Sequence, residues 1–401
     1  MDHLFFYKLI KDENPPTSDI TPDDEMNDSN FEPIFNRGLA EFIKSVLDKH
    51  SIEYTDGWVK TGIVGLISGE NKQDKTIALR ADIDALPIME ENRVPYKSTN
   101  EGVMHACGHD VHTASLLGAL LILNELKKDL SGSVKFIFQP GEEKLPGGAK
   151  LMIEEGALKD PEPTLILGQH VHPPLEVGKV GIRGGQYMAS ADEIFIEVTG
   201  KGGHAALPHE LVDPVLIASH IIVSLQQVVS RKSNPFTPSV LSFGKINSDG
   251  GATNIIPDRV FIQGTFRTMD EAWREKAHQE IKRIAIQVAE SMGGSVDINI
   301  IKGYPFLFNH EGLSSFIKEK MKEFLGEENV VELPKRMSAE DFSYYGHQIP
   351  GCFYRLGTGN VAKGITSSVH TSTFDIDEEA LIICSSMMAY LAVKALEESD
   401  L

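Results

Sequence analysis

The sequence predicts an α/β fold in which a mainly parallel sheet is covered by helices and is interrupted by an inserted α+β segment. Strand-like and helix-like runs alternate from about residue 35 onward, a pattern typical of parallel sheets with helical crossovers. Between residues 188 and 300 the order of the runs changes to βαββαβ, the split βαβ arrangement. The chain has 401 residues, more than one hydrophobic core usually holds, so two domains are expected.

The main domain is predicted from runs on both sides of the insertion. Before it, periodicity predicts helices over 37–49 and 111–126 and strands over 62–67, 76–81, 134–138 and 164–167. After it, a helix over 313–324 and a strand over 352–356 continue the alternation of helices and strands. The predicted boundaries are an N-terminal segment 1–35, a main domain formed by 36–187 and 301–401, and an inserted domain 188–300.

The inserted domain is predicted element by element from the same signals. Its runs, in chain order, are a strand 193–199, a helix 214–229, strands 239–245 and 259–267, a helix 271–290 and a strand 295–301. Residues 10–33, by contrast, are rich in Asp, Glu, Pro, Ser and Asn. Segment 1–35 is therefore expected to be disordered or divergent.

Composition excludes some classes of partner. A formal net charge of -20 argues against nucleic-acid or anionic-membrane binding. The three cysteines Cys107, Cys352 and Cys384 are odd in number and widely spaced, which favours a reducing compartment, and we expect the cytoplasm. Residues 380–393 are uncharged but fall short of the roughly 20 needed to cross a bilayer, so a buried core helix is expected.

Metal-ligand residue types follow several of the predicted strands. Glu142 and Glu143 come after the strand 134–138 and a Pro-Gly turn, which places them on a loop at the strand's carboxyl end. In open α/β sheets ligands bind at that edge. Because adjacent extended residues diverge, one glutamate is expected to bind a metal while the other acts as a base.

Four further segments add side chains to the same edge. Asp82 and Asp84, two residues apart after the strand 76–81, are expected to face one site. Cys107 and His109 lie just before a helix and suit zinc and neighbouring transition metals. His170 follows the strand 164–167, and His370 lies in a late loop. Together with Glu143, these residues provide enough ligands for two metals.

Simpler interpretations exist for each residue. A buried cysteine is usually a small core residue, and His105, His112, His172 and His209 are expected to be ordinary polar groups, with a supporting role as the minority interpretation for His105 or His112. Asp82 and Asp84 could instead hold magnesium for phosphoryl transfer, but the sequence contains no Walker-type phosphate loop.

Six motifs, taken together and in order, carry a resemblance to a known family. They are ADIDALP at 81–87, MHACGHDVHT at 104–113, QPGEE at 139–143, GQHVHP at 168–173, GGHAA at 202–206 and NIIP at 254–257. Over about residues 36–400 the chain resembles the amidohydrolase branch of the aminoacylase/carboxypeptidase metallopeptidase family, which includes hippurate hydrolases, N-acyl-amino-acid deacylases and auxin-conjugate hydrolases. It departs from that family near residues 27–33, which replace the usual His-x-x-Pro-Glu-Leu segment.

The resemblance implies two divalent metal ions per subunit, manganese or zinc, with cobalt or nickel as further options. It also implies Glu142 as general base and Asp84 as a supporting acid. The implied metal ligands are Cys107, His109, Glu143, His170 and His370.

The resemblance further implies a homodimer formed through the inserted domain. In that arrangement His204 reaches the partner's active site and helps to hold the substrate's carbonyl oxygen. Asn254 and Arg267 would meet the substrate's carboxylate, a role that suits amide and guanidinium donors. Without the resemblance, the glycines before His204 would be only a turn, Asn254 a loop cap and Arg267 a sheet-edge charge.

The expected activity is hydrolysis of the amide bond of small N-acyl amino acids to a carboxylic acid and a free amino acid. One alternative is a dipeptidase or aminopeptidase that uses the same site. Another is a catalytically inactive binding dimer.

Overall fold

The computed structural model describes residues 31–70 and 75–399, which divide into two compact units. The first unit contains the described residues up to Gly185, Phe308–Pro334, and the described residues from Tyr344 onward. The second contains Gln186–Leu307 and Lys335–Ser343. The second unit therefore extends beyond the segment 188–300 that the sequence assigned to the insertion.

The elements follow one another in a regular order along the described chain. In chain order they are α1 Phe31–Lys49, β1 Tyr54–Trp58, β2 Gly62–Ser68, β3 Thr76–Asp82, α2 His109–Glu125, β4 Ser133–Gln139, α3 Gly148–Glu155, β5 Ile166–Glu176, β6 Val180–Ile182, β7 Gly185–Met188, β8 Asp192–Thr199, β9 Gly203–His204, α4 Pro214–Gln227, β10 Ser239–Ser248, β11 Ile255–Ile256, β12 Arg259–Thr268, α5 Glu271–Ser291, β13 Ser295–Lys302, β14 Leu307–Asn309, α6 Glu311–Leu325, β15 Val330–Glu332, α7 Ser343–Gly346, β16 Gly351–Gly359 and α8 Glu379–Glu397. Short 3-10 turns lie at Pro208–Glu210 and Glu327–Asn329, and a π turn lies at Val228–Lys232.

The first unit is built on an eight-stranded sheet with the order β1-β2-β4-β3-β5-β16-β6-β15. Four of its seven pairings are parallel: β3 with β4, β3 with β5, β16 with β5, and β15 with β6. Every residue of β3 is buried, as expected of a central strand covered on both faces. The mainly parallel sheet predicted from the sequence is confirmed.

Helices α2 and α8 pack together within the core of the first unit. By length and apolar composition, α8 is the one helix in the described chain that could cross a membrane. Its residues Met387, Met388 and Leu391 are, however, fully buried among core side chains of the first unit. These positions agree with the core helix expected over 380–393.

The second unit is a four-stranded antiparallel sheet covered by two helices. The elements β8, α4, β10, β12, α5 and β13 follow in that order, and the strands lie in the order β10-β12-β8-β13. Helix α4 starts where the Asp213 carboxylate accepts hydrogen bonds from the N–H groups of Val215 and Leu216, with Pro214 as the first helical residue. The predicted βαββαβ arrangement is confirmed.

The N-terminal prediction is corrected in part. Helix α1 begins at Phe31, so residues 31–35 are helical although the sequence placed them in the disordered or divergent segment. Residues 1–30 lie outside the described residues, and for them the expectation stays a prediction.

A buried ion pair joins β8 to α5 in the second unit. Asp192, at the start of β8, accepts hydrogen bonds from Arg274 on α5 with both carboxylate oxygens at 2.5 to 3.2 Å, and its Oδ2 also lies 2.6 Å from His278 Nε2. Arg274 also donates to the carbonyls of Ala191 and Gly303. Burial raises the pKa of Asp192, but His278 and Arg274 outweigh it, so the net pKa is lowered.

Replacing Asp192 with Asn should destabilise the second unit by up to about 3–5 kcal/mol, because Arg274 would lose its fully buried counterion and keep only the partly exposed Glu271. The stabilisation by Asp192 should be present above its unfolded pKa of roughly 4 and should disappear as the pH falls through its lower folded pKa. Denaturant unfolding between pH 3 and 7 measures both effects. Asp297→Asn, on the exposed side of β13, is the matched control, and equal stability of the two variants would contradict the assignment.

Candidate metal centre

The loop between β3 and α2 brings a thiol and an imidazole to the edge of the large sheet. Cys107 is buried, and His109 is the first residue of α2. Gly108 between them has φ +81, and a Cβ atom there would lie 2.6 Å from Val171 Cγ2. A glycine is therefore required for the turn that places Cys107 and His109 beside β5.

The Cys107 sulfur is the point on which distant segments converge. His170 Nε2, from β5, lies 3.3 Å from Cys107 Sγ. His370 Nε2, from the loop between β16 and α8, lies 3.2 Å from the same sulfur. His370 Nε2 is also 3.0 Å from Glu143 Oε1. Four of the five predicted ligands thus meet within one small volume.

The imidazoles of His109 and His170 are oriented by acceptors at their other nitrogens. His109 Nδ1 lies 3.0 Å from the Asp84 carbonyl oxygen and 3.1 Å from Asp84 Oδ1. His170 Nδ1 lies 2.8 Å from the Val171 carbonyl oxygen. Acceptors at Nδ1 leave Nε2 as the ligand atom, an arrangement common at metal sites.

The two glutamates lie in the turn that follows β4. Gly148 packs so closely that a Cβ atom would lie 1.6 Å from the Pro140 carbonyl oxygen, which keeps this turn compact. The Glu143 N–H donates to Asp84 Oδ2 at 2.9 Å. Glu142 is buried, and its carboxylate lies within 4.8 Å of ligand atoms of His109 and Glu143. Both glutamates therefore lie at the same edge of the sheet, as expected.

The donors fit divalent transition metals. The sets Cys107, His109, His170 and Cys107, Glu143, His370 each have ligand atoms within 4.8 Å of one another. His109 Nε2 is buried and has no hydrogen-bond partner among the described residues. A buried imidazole nitrogen without a partner is costly unless a ligand satisfies it. Sulfur, nitrogen and carboxylate oxygen together suit zinc and its neighbours.

The electrostatics of the cluster match a cation site. Burial raises the pKa of the Cys107 thiol to about 12, so a bound cation is needed to stabilise the thiolate at neutral pH. Burial also raises the pKa of Asp84, but its contacts with His109 and the Glu143 N–H outweigh this effect and lower the pKa overall. Asp84 is therefore ionised and holds both partners.

Asp82 and Asp84 both lie against His109, as their spacing predicts, but Asp82 also has buried partners of its own. Asp82 Oδ1 lies 2.5 Å from His112 Nδ1, and its Oδ2 accepts from Arg80 at 2.6 Å. His112 Nε2 in turn accepts from the Val171 N–H at 2.9 Å. Asp82 and His112 therefore belong to a buried support beneath the cluster, although Asp82 Oδ2 is still 3.8 Å from His109 Nε2.

His112 thus has the supporting role that is the minority interpretation of the sequence, which favours an ordinary polar group. Two signals in the sequence indicate this supporting role of His112: charged Arg80 and Asp82 in an otherwise apolar strand, and His112 one helical turn after His109.

The structure corrects the predicted place of His170. It lies inside β5 and not after its end, because that strand continues to Glu176.

The remaining predicted residues lie in the second unit. His204 is exposed on β9, which pairs with β11, and the Ala205 N–H donates to the Asn254 carbonyl oxygen at 3.0 Å. His204 and Asn254 are therefore neighbours. Arg267 lies on β12 and donates from Nε to Thr265 Oγ1 at 3.0 Å, and burial lowers its pKa.

Replacing Asp84 with Asn should weaken metal binding by about 10–100-fold, because Asp84 orients His109 and the turn of Glu143. Calorimetric titration with zinc or manganese measures the change. Asp129→Asn, on an exposed turn of the same unit, is the control. Unchanged affinity in Asp84→Asn would contradict the supporting role of Asp84.

Comparisons with known proteins agree on one family. The model of peptidase family M20/M25/M40 matches residues 78–394. The N-acetyl-L-cysteine deacetylase of Bacillus subtilis is 40% identical over 360 residues, covering 90% of this chain and 83% of the relative. IAA-amino acid hydrolase ILR1-like 4 of Arabidopsis thaliana is 37% identical over 363 residues, covering 90% and 81%.

A solved structure extends the similarity to three dimensions. The Bacillus subtilis YXEP protein, described as a dinuclear metal binding peptidase from the M20 family, superposes with a TM-score of 0.77 and 33% identity. The similarity covers 92% of this chain and 96% of that protein. The chain belongs to the peptidase family M20/M25/M40.

Proposed function

We propose that this protein is a metal-dependent amidohydrolase that cleaves the amide bond of small N-acyl amino acids. The observation that carries the proposal is the convergence of His170 and His370 on the Cys107 sulfur, with Glu142 and Glu143 beside them. Relatives named as a deacetylase of N-acetyl-L-cysteine and as an IAA-amino acid hydrolase support the substrate class.

The proposed ligands form two overlapping sets, which would hold two metals. Cys107 belongs to both sets, His109 and His170 to one, and Glu143 and His370 to the other. Bound manganese, zinc, cobalt or nickel ions would supply Lewis acidity that polarises the scissile carbonyl and lowers the pKa of water.

Glu142 is the proposed general base. Its buried carboxylate accepts a proton from the attacking water and returns that proton to the nitrogen of the leaving amino acid. The water oxygen forms a new bond to the acyl carbon, and the tetrahedral intermediate then collapses, breaking the carbon–nitrogen bond as Glu142 returns the proton to the leaving nitrogen. The products are therefore a carboxylic acid and a free amino acid.

The second unit is proposed to pair two subunits and to complete the site. His204 of the partner subunit would donate to the carbonyl oxygen as negative charge develops there. Asn254 and Arg267 would bind the carboxylate of the substrate. The exposed position of His204 beside Asn254 supports a role toward a second molecule.

Peptidase activity on a free amino terminus is the second candidate. It is favoured by the description of the YXEP protein as a peptidase.

The cytoplasm is the proposed location. The three cysteines are buried free thiols, which is consistent with a reducing compartment.

The direct test measures release of free amino acid from N-acetyl, N-benzoyl and indole-acetyl amino acids and from dipeptides. The protein is loaded with manganese or zinc, and a chelated sample is the control. Release from acylated substrates that is lost on chelation supports the deacylase. Release only from dipeptides supports the peptidase, and no release from metal-loaded protein would contradict both.

Replacing Glu142 with Gln should lower kcat by about 10²–10⁴-fold while both metals stay bound, because the amide cannot accept the proton. Initial rates and metal analysis of the same sample measure the two quantities. Glu154→Gln, on the exposed side of α3, is the matched control. Substantial activity in Glu142→Gln would contradict the assignment of Glu142 as general base.

Replacing His204 with Ala should lower kcat strongly and leave metal content unchanged, because the imidazole acts on the partner's substrate. Mixing subunits of His204→Ala and Glu142→Gln should then restore part of the activity, since a mixed dimer has one site with both groups. His209→Ala, at a highly exposed position, is the control. No recovery on subunit exchange would contradict action across the dimer.

A further inference from the structure

His370 is the proposed ligand with the least support from regular structure. His109 begins α2 and His170 lies within β5, whereas His370 lies in the long loop between Gly359 and Glu379. Its φ of +62 is in the left-handed region, which is unfavourable for a residue with a Cβ atom. Such a conformation persists only where surrounding contacts hold it.

One contact holds the backbone of His370 itself. The His370 N–H donates to the Ala106 carbonyl oxygen at 2.7 Å, which ties it to the residue before Cys107. A turn follows, in which the Phe374 N–H donates to the Thr371 carbonyl oxygen at 3.1 Å. The position of His370 therefore depends on how residues 372–374 are held.

Residues 90–92, which we call the brace, bind this turn from a segment just over 280 positions earlier in the chain. The Glu91 N–H donates to the Ser372 carbonyl oxygen at 2.8 Å, and Asn92 Nδ2 donates to the Phe374 carbonyl oxygen at 2.7 Å. Ser372 Oγ donates to Glu91 Oε2 at 3.0 Å. Three hydrogen bonds thus join the brace to the His370 loop.

The side chain of Asn92 is itself oriented. Glu90 Oε1 lies 3.2 Å from Asn92 Nδ2, and Glu90 Oε2 accepts from the Ser98 N–H at 2.8 Å. The Phe374 side chain, next to the bonded carbonyl, is buried with Met104, Val111 and Val171. The contact therefore links a fixed donor to a loop residue that is anchored in the core.

We propose that Asn92 is a positioning residue that holds His370 in its strained conformation as a ligand of one metal. This inference rests on the proposed function only in requiring that the centre binds metal. The set Cys107, Glu143, His370 needs the brace, whereas Cys107, His109, His170 is held by the sheet and α2. Loss of the Asn92 amide therefore weakens one metal site selectively.

The test compares metal binding by the full chain in four variants, one of which is Ser372→Ala. Asn92→Ala removes the donor, and Asn92→Asp keeps the shape but cannot donate to the Phe374 carbonyl when ionised. Asn100→Ala, at an exposed position of the same loop, is the matched control. Manganese is titrated into metal-free protein by calorimetry, and the thermal midpoint of each metal-free variant is recorded.

In Asn92→Ala and Asn92→Asp, one manganese equivalent should bind about tenfold or more weakly, while the other equivalent and the metal-free midpoint stay as in the wild type. kcat should recover with excess manganese, which a general folding defect would not allow. Asn100→Ala should match the wild type. Ser372→Ala, which removes only one brace contact, should show a smaller loss at the same equivalent.

The proposal is overturned if Asn92→Ala binds both equivalents like the wild type, or if it loses both to the same extent. It is also overturned if Asn92→Asp retains full affinity, because the amide donor would then be unnecessary. If Asn92→Ala fails to fold, Ser372→Ala and Asn92→Asp decide by the same criteria. Failure of the wild type to bind any divalent metal would instead refute the proposed function.

Discussion

The first unit depends on one constraint, the convergence of distant segments on the buried sulfur of Cys107. His170 from the central sheet and His370 from a loop more than 260 residues after Cys107 both place Nε2 within 3.3 Å of that sulfur. Three such groups at this distance gain little from one another without a cation. A metal ion bound by these three side chains would make their close approach favourable. Metal binding would then also stabilise the fold.

The polar groups beneath the cluster serve this convergence. Asp84 bonds His109 and the Glu143 turn, while Asp82 and His112 link β3 and α2 to the Val171 N–H on β5. Buried charges are costly unless paired, and here each is paired with a group that orients a ligand or its neighbour. The sheet provides rigid positions, and the charges set the directions of the side chains.

Much of the fold and centre could be predicted because the information is local. Alternating runs predict the sheet, and Cys107, His109 and Glu143 lie beside glycine turns. The sequence does not predict that β5 continues beyond His170, because residues 170–174 contain histidines and prolines, and proline is uncommon inside strands. The brace at Asn92 was also missed, since its partner is a backbone carbonyl that leaves no side-chain signal. Such tertiary hydrogen bonds are visible only once the chain is folded.

X-ray absorption at the metal edge of zinc-loaded protein tests the central claim most directly, because it identifies the atoms bound to the metal. We predict a sulfur neighbour at about 2.3 Å together with nitrogen and oxygen neighbours, and loss of the sulfur signal in Cys107→Ser. A first shell of nitrogen and oxygen alone in the wild-type protein would contradict the account, because the segments would then converge on Cys107 for a reason other than metal binding.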